Sequence, residues 1–156
     1  MQEPLTESAR NKLFWACFVA LMATSFAFII RIMILGDLAR DFGLTETQRG
    51  EILGVGIWPF AVSIILFSLV IDSIGYGKAI LFAFLGHVAF AVLTITATGY
   101  WSLYAGSLLG GLAAGAIEAA INPVVATMFS SQKTKWLNIL HAGWPGGMVA
   151  AGLLSM

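Results

Sequence analysis

The residues best suited to chemistry are polar groups set inside apolar runs. Glu118 is the sharpest case, followed four residues on by Asn122 and then by Pro123. Residues four apart share a helical face, and a proline removes a backbone amide and frees a carbonyl one turn back. The three make a polar, locally broken patch suited to proton transfer or to recognition of a substrate hydroxyl. An interhelical structural hydrogen bond is the alternative. Arg31 interrupts another apolar run near its end. It suits an anion or a carboxylate partner across a central cavity, or else it snorkels to the interface on its long stem; whether it reaches Glu118 is open at this level. Asn138 and His141, three residues apart on one face, suit hydrogen bonds to a hydroxylated substrate or between helices. His87 stands alone and reads as a packing residue. Trp58-Pro59 and Trp144-Pro145 are expected bends, whose aromatics line a cavity or pack.

The elements that must position these groups follow from composition. Of 156 residues, 59% are hydrophobic and 10% charged, against about 45–50% and 25% in soluble domains. A soluble enzyme, a secreted disulfide scaffold and a disordered tail are all excluded. Eight basic residues balance eight acidic ones, so no polyanion-binding surface is implied and nucleic acid is not an expected partner. Cys17 stands alone and cannot form an internal disulfide. The chain reads as an all-α, polytopic membrane protein with lipid around it. Crossing the hydrocarbon takes about 20 mostly apolar residues, and five stretches qualify: 13–35, 50–71, 79–98, 101–129 and 136–156. Residues 1–12 precede them as a short N-terminal segment. The first run is far longer than a signal-peptide core and lacks a cleavage signature. Thr45-x-x-Gln48 fits a capping box at the start of the second span.

Lysines and arginines set orientation. With the N-terminus inside, the inner segments hold Arg10, Lys12, Lys78, Lys133 and Lys135, and the outer ones Arg40 and Arg49. The expectation is a multi-pass protein of the plasma (cytoplasmic) membrane with a cytoplasmic N-terminus. Gly106-x-x-x-Gly110, Gly111-x-x-x-Gly115 and Gly143-x-x-x-Gly147 have the spacing that lets helix backbones approach closely in lipid.

Several chemistries are missing. There is no phosphate-binding Gly-x-x-x-x-Gly-Lys-Ser/Thr loop and no Gly-x-Ser-x-Gly elbow. Gly54-Val55-Gly56 lacks the third glycine of a dinucleotide site, and the two histidines lie 54 positions apart, too far for a His-x-x-x-His zinc pair. No nucleophile–base set can be assembled, so an enzyme, a cofactor and a metal site are not expected.

Between the second and third spans the chain reads Ser68-Leu69-Val70-Ile71-Asp72-Ser73-Ile74-Gly75-Tyr76-Gly77-Lys78. This resembles the Gly-x-x-x-Asp-Arg-x-Gly-Arg-Arg/Lys loop of the major facilitator superfamily. Asp72 and Gly75 match, Lys78 supplies one basic group a position late, and Ser68 replaces the first glycine. Phe42-Gly43-Leu44-Thr45-x-x-Gln48-x-Gly50 is similar to the opening of helix two in that superfamily. Glu118-Ala119-Ala120-Ile121-Asn122-Pro123, with Leu137-Asn138-x-x-His141-Ala142-Gly143, resembles the fucose permease-like sugar porters.

The resemblance implies a secondary transporter moving a small polar solute, a sugar or an organic anion, by alternating access, with proton-coupled symport at Glu118. Those porters also carry an acid in helix one, where this chain offers only Arg31, which makes an anionic solute plausible. Glu118, Asn122, Asn138, His141 and Arg31 are then the substrate or coupling residues, and Asp72, Gly75 and Lys78 belong to an inner gate. Complete members have two six-helix halves, so the expected fold is about five helices of a truncated N-terminal half, whose partner is the C-terminal half of the same polypeptide. The rival is a small membrane scaffold or subunit that oligomerises through its glycine faces.

Overall fold

A computed structural model describes residues 5–155, and within them the chain is helical, with no strand. Part of the N-terminal segment expected over 1–12, namely residues 1–4, lies outside the described residues, as does Met156 at the end of the fifth expected span.

Helix α1 runs Glu7–Asp41 and overshoots the expected 13–35 at both ends. The Thr6 hydroxyl accepts from the Ala9 amide at 3.3 Å and starts the helix early, with Glu7 at its positive end. The second half of the segment set apart as 1–12, residues 7–12, therefore forms the first turns of α1. At the far end the more polar stretch 36–41 continues the helix, beyond what an apolar-run count can see. The next helices, α2 (Glu46–Gly54) and α3 (Trp58–Ile74), are two pieces of one expected span. The capping box is formed: the Gln48 amide donates to the Thr45 hydroxyl at 3.2 Å, and the Thr45 amide to the Gln48 side chain at 2.9 Å.

Gly75 alone separates α3 from α4 (Tyr76–Ile95), and its φ of 86° is open to glycine and strained for other residues. The 68–78 motif thus spans the end of α3, a one-residue turn and the start of α4. Asp72 ends α3 and Lys78 begins α4; both are exposed, and they are not ion-paired. Helix α5 (Tyr100–Met128) is followed by a 3₁₀ turn at Ser130–Gln132. The fifth expected span is not one helix but two, α6 (Lys133–His141) and α7 (Gly143–Leu154). Pro145 has no amide to offer the His141 carbonyl, and the helix breaks at Ala142.

Helix α5 is the hub, packed on α1, α2, α3, α4 and α6, while α7 lies along α1. Every residue from Ala113 to Ile121 is buried, the pattern of a helix apolar on all sides. The glycines explain the close approach. A Cβ on Gly106 or Gly110 would press on Leu93 or Phe90 of α4, and one on Gly115 would overlap the Phe60 carbonyl of α3. One on Gly147 would overlap the Met22 carbonyl of α1. Across the Gly115 contact the Ser63 hydroxyl donates to the Leu112 carbonyl at 2.6 Å. Gly115→Ala is therefore expected to cost about 1–3 kcal/mol in thermal unfolding, whereas Gly36→Ala, facing open space, does not lower stability.

The outward faces are apolar as well: Ile65, Leu69, Phe84, Leu85 and Ile95 are all exposed. Four stretches, Glu7–Asp41, Glu46–Ile74, Tyr76–Ile95 and Tyr100–Met128, are long and apolar enough to cross a membrane. An outer surface of this kind needs lipid or protein against it.

Candidate functional site

Glu118 owes its position to the burial of α5 on all sides. It is 8% exposed, and its Oε2 accepts from the Asn122 side-chain amide at 2.9 Å. The Asn122 Oδ1 is buried and has no partner. The ion pairs among the described residues, Arg40–Asp37 and Arg49–Glu46, lie at the ends of helices and involve neither Glu118 nor Arg31. Pro123 sits inside α5 without ending it.

Arg31 is held by the break between α2 and α3. Pro59 cannot give an amide to the Val55 carbonyl, so the chain turns through Val55-Gly56-Ile57. The Gly56 and Ile57 amides bond back to the Leu53 and Gly54 carbonyls at 3.1 and 2.9 Å. The turn brings bare backbone against α1: a Cβ on Gly56 would fall on the Arg31 guanidinium. Arg31 is 6% exposed, so it does not snorkel. Its Nε and Nη2 are buried without a hydrogen-bond partner. The guanidinium carbon lies 5.1 Å from the centroid of the Phe28 ring, a cation–π contact worth about 0.5–2 kcal/mol.

A small cavity of about 20 Å³ opens at this point, lined by Arg31, Phe28, Gly56, Gly111 and His87 among others. The His87 Nδ1 bonds to the Ala83 carbonyl at 2.8 Å. A carbonyl only accepts, so Nδ1 carries a proton. His87 is a satisfied helix residue, as expected, and it also shares a cavity with Arg31, which was not foreseen. Beside Phe28 stands Trp144 of α7, 6.2 Å away between ring centroids, with Phe60 of α3 at 6.1 Å from Trp144. Of the two expected Trp-Pro bends, only Trp144 stands in this cluster; Trp58 is exposed, and Phe60 after Pro59 takes its place.

Arg31 and Glu118 do not pair. Gly111, Gly115, Glu118 and Asn122 recur at helical spacing along one stripe of α5. Gly111 lines the Arg31 cavity, so the carboxyl lies about 10 Å further along the helix at 1.5 Å per residue. Asn138 and His141 are exposed on α6 and make no hydrogen bond to Glu118 or Asn122. Sequence reasoning missed Gly56 and Phe28. The signal was present in Gly54-x-Gly56 ahead of Trp58-Pro59, a glycine pair followed by a helix breaker.

Among curated proteins, the chain is 26% identical over 125 residues to tetracycline resistance protein class E of Escherichia coli. It is 27% identical over 127 residues to the class B protein from the same organism. Each alignment covers 78% of this chain and 31% of the relative, so the chain spans about a third of the length of the curated relatives it matches. These relatives carry a drug-resistance name and are not sugar porters. No solved structure matches the chain. The family model described as Major Facilitator Superfamily matches residues 13–156, nearly the whole chain, and with its buried apolar hub and lipid-suited outer faces this is a multi-pass membrane protein belonging to that superfamily of transporters.

Proposed function

We propose that this chain forms part of a secondary transporter that moves a small polar solute, a sugar or an organic anion, by alternating access. The observation that carries the reading is the Glu118–Asn122 pair, a carboxyl 8% exposed with an amide as its partner, in a chain of a transporter family. Ionisable groups at such depth mark proton relays and solute paths. In this reading Glu118 exchanges the coupling proton and Asn122 orients it. Asn138 and His141, exposed on α6, meet solute or the other half of the polypeptide, the site lying between the halves. Asp72, Gly75 and Lys78 form the inner gate. The five-to-two excess of Lys and Arg supports a cytoplasmic Glu7 end in the plasma membrane.

The test is counterflow in vesicles reconstituted with the full natural polypeptide. Saturable exchange of labelled solute, accelerated by unlabelled solute on the far side, is expected. Its absence across a panel of sugars and organic anions, with a defined small oligomer in mild detergent, would favour the scaffold.

A second reading rests on the relatives' names and on the row of rings that starts with Phe28 against Arg31 and continues through Trp144 to Phe60, which suits a flat conjugated solute such as tetracycline. Expression of the full polypeptide in a susceptible host then raises the inhibitory concentration of tetracycline several-fold. An unchanged value excludes that substrate.

A further inference from the structure

The Arg31 cavity is built in a way that the transport reading alone does not require. We infer that it is a binding site for a small oxyanion group, held by the Arg31 guanidinium against the α2–α3 break. The inference rests on the transport reading and names the substrate class it takes.

Three observations carry it. Arg31 is 6% exposed and two of its guanidinium nitrogens have no partner. Buried polar groups in native proteins are nearly always paired, and an unpaired buried charge is costlier still. Second, the surrounding backbone makes room for that charge: Gly56 carries no Cβ where one would strike the guanidinium, and α2 ends so that this turn lies there. A residue kept only for packing would not need a broken helix beside it. Third, no residue lining the cavity is acidic, and the one other titratable group is His87. The site is electropositive, and no ion pair among the described residues neutralises it.

The geometry also selects the ligand. A planar guanidinium matches an oxyanion edge in a fork. The cavity of about 20 Å³ has room for about one water-sized group, so one oxygen of the charged head enters it. The remainder of an organic anion lies along Phe28, which lines the cavity, toward Trp144, 6.2 Å from Phe28 between ring centroids. A guanidinium acting as a cap for α2 would hydrogen-bond the free carbonyls of the break, and Nε and Nη2 make no such bond.

The test reads binding without transport. The full polypeptide in lipid nanodiscs is heated with acetate, benzoate, nitrate or chloride at constant ionic strength. A bound oxyanion raises the unfolding midpoint by about 2–4 °C at a tenfold excess over its dissociation constant. Acetate and benzoate acting alone identify an organic carboxylate; nitrate acting equally identifies an inorganic oxyanion. Arg31→Gln removes the shift. Gly56→Ala, which leaves the charge but displaces the guanidinium, weakens half-saturation about tenfold or more, and Gly36→Ala does not change it. Gly56→Ala decides the matter if Arg31→Gln fails to fold. Equal shifts in parent and both variants, or no shift with any anion, overturn the site. A chain that exchanges a neutral solute yet shows no Arg31-dependent binding overturns the anion site alone. One that binds anions but carries nothing overturns the transport reading alone.

Discussion

Replacing Arg31 with methionine is expected to raise the thermal stability of the chain while removing its response to anions. Placing an arginine within a membrane helix costs up to about 2.5–3.5 kcal/mol at the centre and less toward the ends. Against this Arg31 recovers a cation–π contact with Phe28, 5.1 Å from its ring centroid, worth about 0.5–2 kcal/mol. Among the described residues it recovers no hydrogen bond at Nε or Nη2 and no ion pair. The cost wins, and methionine fills the volume of the stem with a flexible apolar chain. The expected gain is about 1 kcal/mol, read as a higher unfolding midpoint in nanodiscs. Removing a buried charge in favour of apolar packing often has this sign, and function is what such a substitution loses. A fall in midpoint of similar size would make Arg31 a structural residue.

Glu118→Gln is expected to abolish gradient-driven accumulation and to spare counterflow. One pH unit is worth 1.36 kcal/mol per proton, so a two-unit gradient coupled to one proton sustains a solute ratio of about 100. Glutamine cannot carry that proton, and the ratio falls to about one. The fold survives, because the glutamine carbonyl oxygen can still accept from the Asn122 amide, the one side-chain bond Glu118 makes among the described residues. Counterflow needs the carrier to turn over without net proton movement and stays within about threefold. Accumulation and counterflow lost together would give Glu118 to solute binding or folding; neither lost would remove it from the mechanism.

The outline of this fold was legible because its signals are local. Apolar runs long enough to cross a membrane stand out from composition, and the Thr45–Gln48 box formed as its residues require. The three glycine pairs mark real contacts between α5 and its neighbours and between α7 and α1. What escaped was tertiary. Trp58-Pro59 announced a bend, but that the turn would fall at Val55–Ile57 and present Gly56 to Arg31 depends on how α1 crosses α2, which no window of sequence contains. For the same reason Arg31 and Glu118, both singled out, proved to be separate, each with its own neighbours. The fifth span looked continuous because hydropathy averages over Pro145, which splits it into α6 and α7. Asn138 and His141 share a face as their spacing demands, yet that face is exposed. The sugar-porter likeness rested on short runs around Glu118 and Asn138, while alignment along most of the chain leads to tetracycline resistance proteins.

The most direct test of proton-coupled carriage is to watch the proton. Vesicles holding the full polypeptide and an internal pH indicator receive a pulse of solute with no gradient imposed. A pH change inside is expected that begins with solute movement, saturates with solute concentration and is absent in Glu118→Gln vesicles. Solute movement at the same rate with no pH change in the parent protein would contradict it.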